Sequence, residues 1–165
     1  MVELDYTLLS LTIIGSIFAG IVSSLIVQVI IKKVEKNGII SNIKKAIKQE
    51  IQENVESIKD FKITTKKMED GTKESELKYL TIASYDSTVK SGDFILLSTE
   101  LRQEISELYT YIHVANFESD QLIKSQYIMA EDNDKFEKLI LRQLGVLTKS
   151  YQVIKTKSKI LLKKL

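Results

Sequence analysis

Residues 6–31, YTLLSLTIIGSIFAGIVSSLIVQVII, contain no charged side chain. An α-helix rises about 1.5 Å per residue, so crossing a bilayer core of about 30 Å takes roughly 20 apolar residues. This run of 26 residues exceeds that length and predicts one transmembrane helix, tilted or slightly protruding. A buried core helix is the alternative, but such helices rarely run so long without a charge. A cleaved signal peptide fits less well, since it needs a basic start, a short apolar core and a small-residue cleavage site. Here the start is Met1-Val2-Glu3-Leu4-Asp5, with no Lys or Arg.

The flanks predict the orientation. Lys32, Lys33 and Lys36 follow the apolar run and nothing basic precedes it. Short flanks rich in Lys and Arg stay in the cytoplasm. The expectation is a single-pass protein of the cell membrane, with residues 1–5 outside and 32–165 in the cytoplasm. Small residues recur along one side of the run: Gly15, Ala19 and Ser23, with Ser16, Gly20 and Ser24 beside them. In lipid such residues permit close backbone approach, so this face is a candidate helix–helix contact within the membrane. Gly and Ser are also simply common in membrane helices.

All 24 basic residues lie after Ile31, against 20 of the 22 acidic ones, so the remainder of the chain is only mildly basic. That balance does not imply a nucleic-acid partner. The absence of cysteine removes disulfides, thiol nucleophiles and thiolate metal sites. The absence of proline favours uninterrupted helices.

Past the apolar run, Asn37-Gly38 is a turn dipeptide where the helix either breaks or runs through with a kink. Ile40, Ile43, Ile47, Ile51, Val55, Ile58 and Phe61 then recur at steps of three or four, predicting a helix over about 40–62. Lys44, Lys45, Lys48, Glu50, Glu53 and Glu56 lie off that stripe. Residues 63–75 read as a loop. A helix is expected from Glu74 or Ser75 to Ser91-Gly92, carrying Leu77 and Leu80. Phe94 sits where a hydrophobic residue closes a glycine cap, and residues 94–97 read as a buried connector. Ser98 is a candidate N-cap. Leu101, Ile105, Leu108, Ile112, Ala115, Ser119 and Leu122 alternate steps of four and three, the seam of a coiled coil or bundle, on a helix over about 99–128.

Glu131-Asp132-Asn133-Asp134 supplies caps for a last helix, whose stripe is Phe136, Ile140, Leu144, Leu147, Tyr151, Ile154, Ser158, Leu161 and Leu165. A second row, Leu139, Val146, Val153 and Ile160, widens the apolar face and predicts packing on more than one neighbour. Gly145 inside this helix predicts close approach of another element. The fold class is therefore all-α: one transmembrane helix, then an antiparallel bundle of about four helices. Residues 100–134 hold eight acidic and two basic side chains, whereas 138–165 hold eight basic and none acidic. In an up-down bundle the last helix returns towards the membrane. Lys155, Lys159, Lys163 and Lys164, with Lys32 and Lys33, are therefore candidate contacts to anionic lipid headgroups. An ordinary solvated face that complements the helix dipole is the other reading.

Little here suggests chemistry. His113 is the only histidine. Phosphate-binding and zinc motifs are missing. The acidic cluster at 131–134 lacks the glycine and glutamate spacing of a calcium loop. Glu100, Glu104, Glu107 and Glu118 share one helix without sign of burial. The tyrosines at 79, 85, 109, 111, 127 and 151 suit the edge of a core, with buried rings and wet hydroxyls. No cofactor or metal site is expected.

Glu50-Ile51-Gln52-Glu53-Asn54, Tyr85, Ser91-Gly92-Asp93-Phe94, Leu97-Ser98-Thr99-Glu100-Leu101, Leu108-Tyr109-Thr110-Tyr111-Ile112 and Asn116 form a loose pattern. It resembles one in uncharacterised prokaryotic single-pass membrane-anchored proteins with a helical cytoplasmic domain. The resemblance covers residues 6–116 and implies an anchor and a helical domain but no enzymatic activity. The functional expectation is an anchored interaction or scaffold module, not an enzyme. Its partners would be membrane lipid and a second copy or another protein, met through helices. A membrane-perturbing or pore-forming small protein is the alternative, with Thr12, Ser16, Ser23, Ser24 and Gln28 the polar groups available to a pore.

Overall fold

The computed structural model describes the backbone of residues 6–61, 77–127 and 133–165, and the side chains of residues 21–61, 77–125 and 137–165. All regular structure among the described residues is helical: α1 (Tyr6–Ser57), α2 (Ala83–Lys90), a 3-10 turn (Asp93–Leu96), α3 (Thr99–Tyr127) and α4 (Asn133–Leu161). The chain divides into two compact units, residues 1–41 and 42–165. The expected loop at 63–75 and the capping cluster at 131–132 lie outside the described residues.

In the first unit α1 passes Asn37-Gly38 without a break. Nothing lies within 4 Å of where a Cβ on Gly38 would sit, so no neighbour forces a turn there. Among the described residues no helix is long and apolar enough to cross a membrane. The side chains described in the uncharged run are its last 11, Ile21 to Ile31, about half a span. Of the expected intramembrane contact face, Gly15, Ser16, Ala19 and Gly20 lie outside the described side chains, while Ser23 and Ser24 are exposed on α1.

The second unit is a bundle built on three long helices. The apolar stripe of α1 is buried at Ile43, Ile47, Ile51 and Ile58. The expected seam of α3 is buried along its whole length from Leu101 to Leu122, and the stripe of α4 from Ile140 to Leu161. Contacts fix the directions. Glu50 meets Tyr109, whereas Asn54 and Asn116 both hold the segment at Leu80-Thr81, so α1 and α3 run parallel. Lys44 Nζ reaches Lys164 O and Lys155 Nζ reaches Lys59 O, so α4 runs antiparallel to α1. Glu104 pairs with Lys164 and Ser125 with Gln143, which makes α4 antiparallel to α3 as well.

The second helix departs from expectation. Residues 77–82 are not helical, and only Ala83–Lys90 forms two turns. Leu77 and Leu80 are buried as the pattern required, but on an extended strap between α1 and α3. The strap and α2 together act as the returning element of the up-down bundle. After α2 the backbone turns at Gly92, whose φ of 80° is left-handed. Ser91 N–H donates to Ser87 O and Gly92 N–H to Val89 O, closing the helix end. Phe94 packs edge-on against Tyr85 at 5.6 Å across that cap. Ser98 caps α3, its Oγ accepting from Leu101 N–H at 3.3 Å.

Gly145 is not a close-approach site. It is exposed on α4 and nothing lies within 4 Å of a Cβ built there. Its only contribution is then the entropic cost of glycine in a helix. Gly145→Ala is expected to raise stability by about 0.5–1 kcal/mol, and Gly92→Ala to lower it by about 1–2 kcal/mol through the left-handed backbone. Urea unfolding of the two variants beside the parent checks both signs.

Candidate functional site

Two features of the described structure are candidates for function. One is a buried polar cluster in the bundle; the other is the apolar surface of α1.

The buried cluster starts from Glu50 and Asn54, one helical turn apart on α1. Glu50 is 4 % exposed and Asn54 2 %. Although off the apolar stripe, Glu50 lies only one row from it, between Ile47 and Ile51, where α3 covers it. Its carboxylate accepts from Tyr109 Oη at 2.5 Å, Ser84 N–H at 2.7 Å and Tyr85 N–H at 3.3 Å. The two amides open α2, whose own N-cap position is Ile82 and supplies no side-chain cap. A carboxylate from α1 thus does the work of an N-cap, helped by the positive end of the helix dipole.

Asn54 faces the strap. Its Nδ2 donates to Thr81 O at 2.8 Å and its Oδ1 accepts from Thr81 N–H at 2.7 Å. Asn116 on α3 does the same for the adjacent residue: Nδ2 to Leu80 O at 2.8 Å, and Oδ1 from Leu80 N–H at 2.8 Å. Two side-chain amides therefore satisfy two consecutive peptide units in opposite directions. This explains why residues 77–82 leave the helical conformation: their backbone groups already have partners.

Tyrosine rings close the cluster. Tyr109 is fully buried and stacks on Tyr85 at 4.2 Å and 12°. Tyr151 on α4 is 2 % exposed, donates to Lys78 O at 3.0 Å, and meets the Phe61 ring edge-on at 4.7 Å. The expectation of wet hydroxyls is corrected for these two, because the strap brings acceptors to them. Burial, reinforced by the neighbouring Glu50 carboxylate, raises the Tyr109 phenol above its ordinary range, and burial raises Tyr151. Among the described residues, the side-chain hydrogen bonds of Glu50, Asn54 and Asn116 go to backbone groups, to Thr81 Oγ1 and to Tyr109. His113 is exposed on α3 and takes no part. Among the described residues no three His, Cys, Asp or Glu side chains are grouped to hold a metal ion.

Among the candidate headgroup lysines of the second unit, Lys155 and Lys164 have partners within the bundle. Lys155 Nζ donates 3.0 Å to Lys59 O, the carbonyl just past the end of α1. Lys164 pairs with Glu104, and its own carbonyl accepts from Lys44 Nζ at 3.2 Å. Nine residues of helix separate Lys155 from Lys164, about 13 Å along the axis. Lys155 thus caps the end of α1, and Lys164 pairs with Glu104 on α3. Lys32, Lys33, Lys159, Lys163 and Lys164 are exposed.

The second feature is α1 from Ile21 to Ile31. Ile21, Val22, Leu25, Ile26, Val27, Val29, Ile30 and Ile31 are each at least half exposed, and Val29 reaches 65 %. They occupy every side of the helix. An apolar surface of this kind marks a membrane or protein contact.

Asn116→Leu strips partners from both polar groups of a buried peptide unit, each costing about 1–3 kcal/mol. A loss of about 2–5 kcal/mol in chemical denaturation is expected, whereas Asn116→Gln loses less. For the phenols the sign follows from linkage. A raised folded-state pKa leaves stability intact below the ordinary value of 10.0 and removes it as pH rises past that point, where the unfolded chain ionises first. Melting temperature is therefore expected to fall above about pH 10, with a shallower fall in Tyr151→Phe.

The chain matches no known protein family, no curated protein and no solved structure.

Proposed function

We propose that the chain is a single-pass membrane-anchored interaction module that acts through helix contacts and not through catalysis. The observation that carries this reading is the apolar surface of α1. The uncharged run of residues 6–31 has the length of a span, and its described part, Ile21 to Ile31, is exposed and apolar on all sides. Such a surface is unfavourable in water by roughly 25 cal/mol per Å² and needs a lipid or protein cover. Lys32, Lys33 and Lys36 at its end support a cytoplasmic residue 32–165 segment. The small residues Gly15, Ser16, Ala19, Gly20, Ser23 and Ser24 support a helix–helix contact within the membrane. The commitment of Glu50, Asn54, Tyr109 and Asn116 to holding the strap supports a structural use of the buried polar groups.

Headgroup contact is a subsidiary part of this proposal. It falls to Lys32, Lys33, Lys159 and Lys163, with Lys155 and Lys164 shared with structural roles. Truncating residues 155–165 does not test it, because Ser158 and Leu161 belong to the core. Charge removal does.

The full chain, expressed in cells, is expected to stay in the membrane fraction through an alkaline carbonate wash and to leave it only in detergent. A variant lacking residues 6–31 is expected in the supernatant. Release of the full chain by carbonate would sink the anchor and leave a protein-covered helix in its place. Dye leakage from vesicles carrying the purified chain would favour a membrane-perturbing role instead.

A further inference from the structure

We propose that the outer face of the α3–α4 hairpin binds the same face of a second copy of this chain, with the two-fold axis parallel to the helices. This deepens the interaction-module reading and rests on it.

The face begins with a row that the fold leaves uncovered. Leu139, Val146, Val153 and Ile160 repeat every seven residues along α4, the spacing that seats one helix against another. Among the described residues nothing covers this row as a second neighbour. Leu139 is 45 % exposed, Val146 36 % and Ile160 55 %, with Val153 half-buried. Lys157 shows which side of α4 this is. Its Nζ lies 2.8 Å from Glu107 and 6.0 Å from the centre of the Tyr111 ring, so it points at α3. Val153 and Ile160 stand one turn either side of Lys157, on the edge of the α3–α4 groove. Ile160 itself lines a cleft of about 160 Å³ with Glu104 and Glu107. On α3, Val114 follows Tyr111 by three residues and Glu107 by seven, so it shares their side, and it is 37 % exposed.

Charge selects the occupant. Beside the apolar row, α4 carries Arg142 and Lys149, with Lys163 just past its end, and no acid from 138 onward. A second α4 laid on this one would set cation on cation. The complementary edge lies on α3 of the same hairpin, with Glu107 and Glu118 on either side of Val114. The register follows from Glu104 opposite Lys164 and Ser125 opposite Gln143, which sets Val114 within one residue of the height of Val153 and Glu118 within one residue of that of Lys149. A two-fold axis parallel to the helices keeps those heights and places α3 of each copy over α4 of the other. Val114 then meets Val153, and Glu118 meets Lys149, twice over. An axis perpendicular to the helices would set α3 on α3, acid against acid. The parallel axis also runs residues 42–57 of both copies the same way, which suits two chains attached to one membrane. The contact is isologous, so it closes at two copies.

Because the chain has no cysteine, single cysteines report this directly. Full-length chain is purified in mild detergent as Val114→Cys, Val153→Cys and, as a control on the exposed surface of α2, Val89→Cys. Mild oxidation of the Val114→Cys and Val153→Cys mixture is expected to give cross-linked dimer well ahead of either variant alone or of mixtures with Val89→Cys. Glu118→Lys and Lys149→Glu are each expected to weaken dimerisation roughly fivefold to tenfold, since an exposed pair carries at most about a factor of five and the axis repeats it. The double variant is expected to recover. Four results would overturn the proposal. The first is a monomer by light scattering, and the second is cross-linking that is indifferent to position. The third is a dimer that survives Val153→Lys, which would locate self-association in residues 6–31. The fourth is a monomer whose only response to Lys149→Glu is lost binding to anionic vesicles, which would assign the face to lipid. None of these bears on carbonate extraction, so the anchor and the dimer stand or fall separately.

Discussion

Two asparagine side chains hold the bundle in register. Residues 77–82 lie between α1 and α3 with their backbone outside any helix, and a buried peptide group without partners is costly. Asn54 supplies both partners to Thr81, and Asn116 supplies both to Leu80. A carboxamide is suited to this because it carries a donor and an acceptor side by side, as a peptide does. Since the two amides come from different helices, the strap sets the axial position of α3 on α1 to within one residue. Glu50 extends the arrangement by capping α2 and receiving the Tyr109 hydroxyl. Apolar stripes alone tolerate a slide of one turn, because Ile and Leu recur along them. The amide pairs do not.

The acid–base asymmetry between α3 and α4 serves the same end more weakly. Lys157 with Glu107, and Lys164 with Glu104, lie across the hairpin at partly exposed positions. Pairs of that kind contribute at most about 1 kcal/mol each, so burial of the α3 seam decides that the hairpin forms. The charges add to that along its partly exposed edge. Lys155 and Lys44 add a local role by donating to carbonyls at helix ends.

Residues 42–165 have a core of their own, whereas Ile21 to Ile31 on α1 have none among the described residues. Their side chains stand exposed on every side of the helix. The two units therefore differ in what solvent they suit, which is the physical content of the anchor proposal.

The long helices were legible in the chain because burial imposes a period. The seam on α3 alternates four and three, and each seam residue from Leu101 to Leu122 is buried. Ser98 and Gly92 were legible for a similar reason: a cap needs an oxygen and a left-handed turn needs a residue without Cβ. The strap was not. Leu77 and Leu80 are spaced as a helix would space them, and what unwinds that segment are two amides 26 residues before and 36 after Leu80 in sequence. Glu50 lies off the apolar stripe, and local periodicity has no knowledge of which neighbour arrives beside it to bury it. The row at Leu139, Val146, Val153 and Ile160 read as a second packed face, yet among the described residues Leu139, Val146 and Ile160 stand exposed. Local propensity and period thus determined the elements; only long-range pairing decided the extended strap, the buried carboxylate and the face left uncovered.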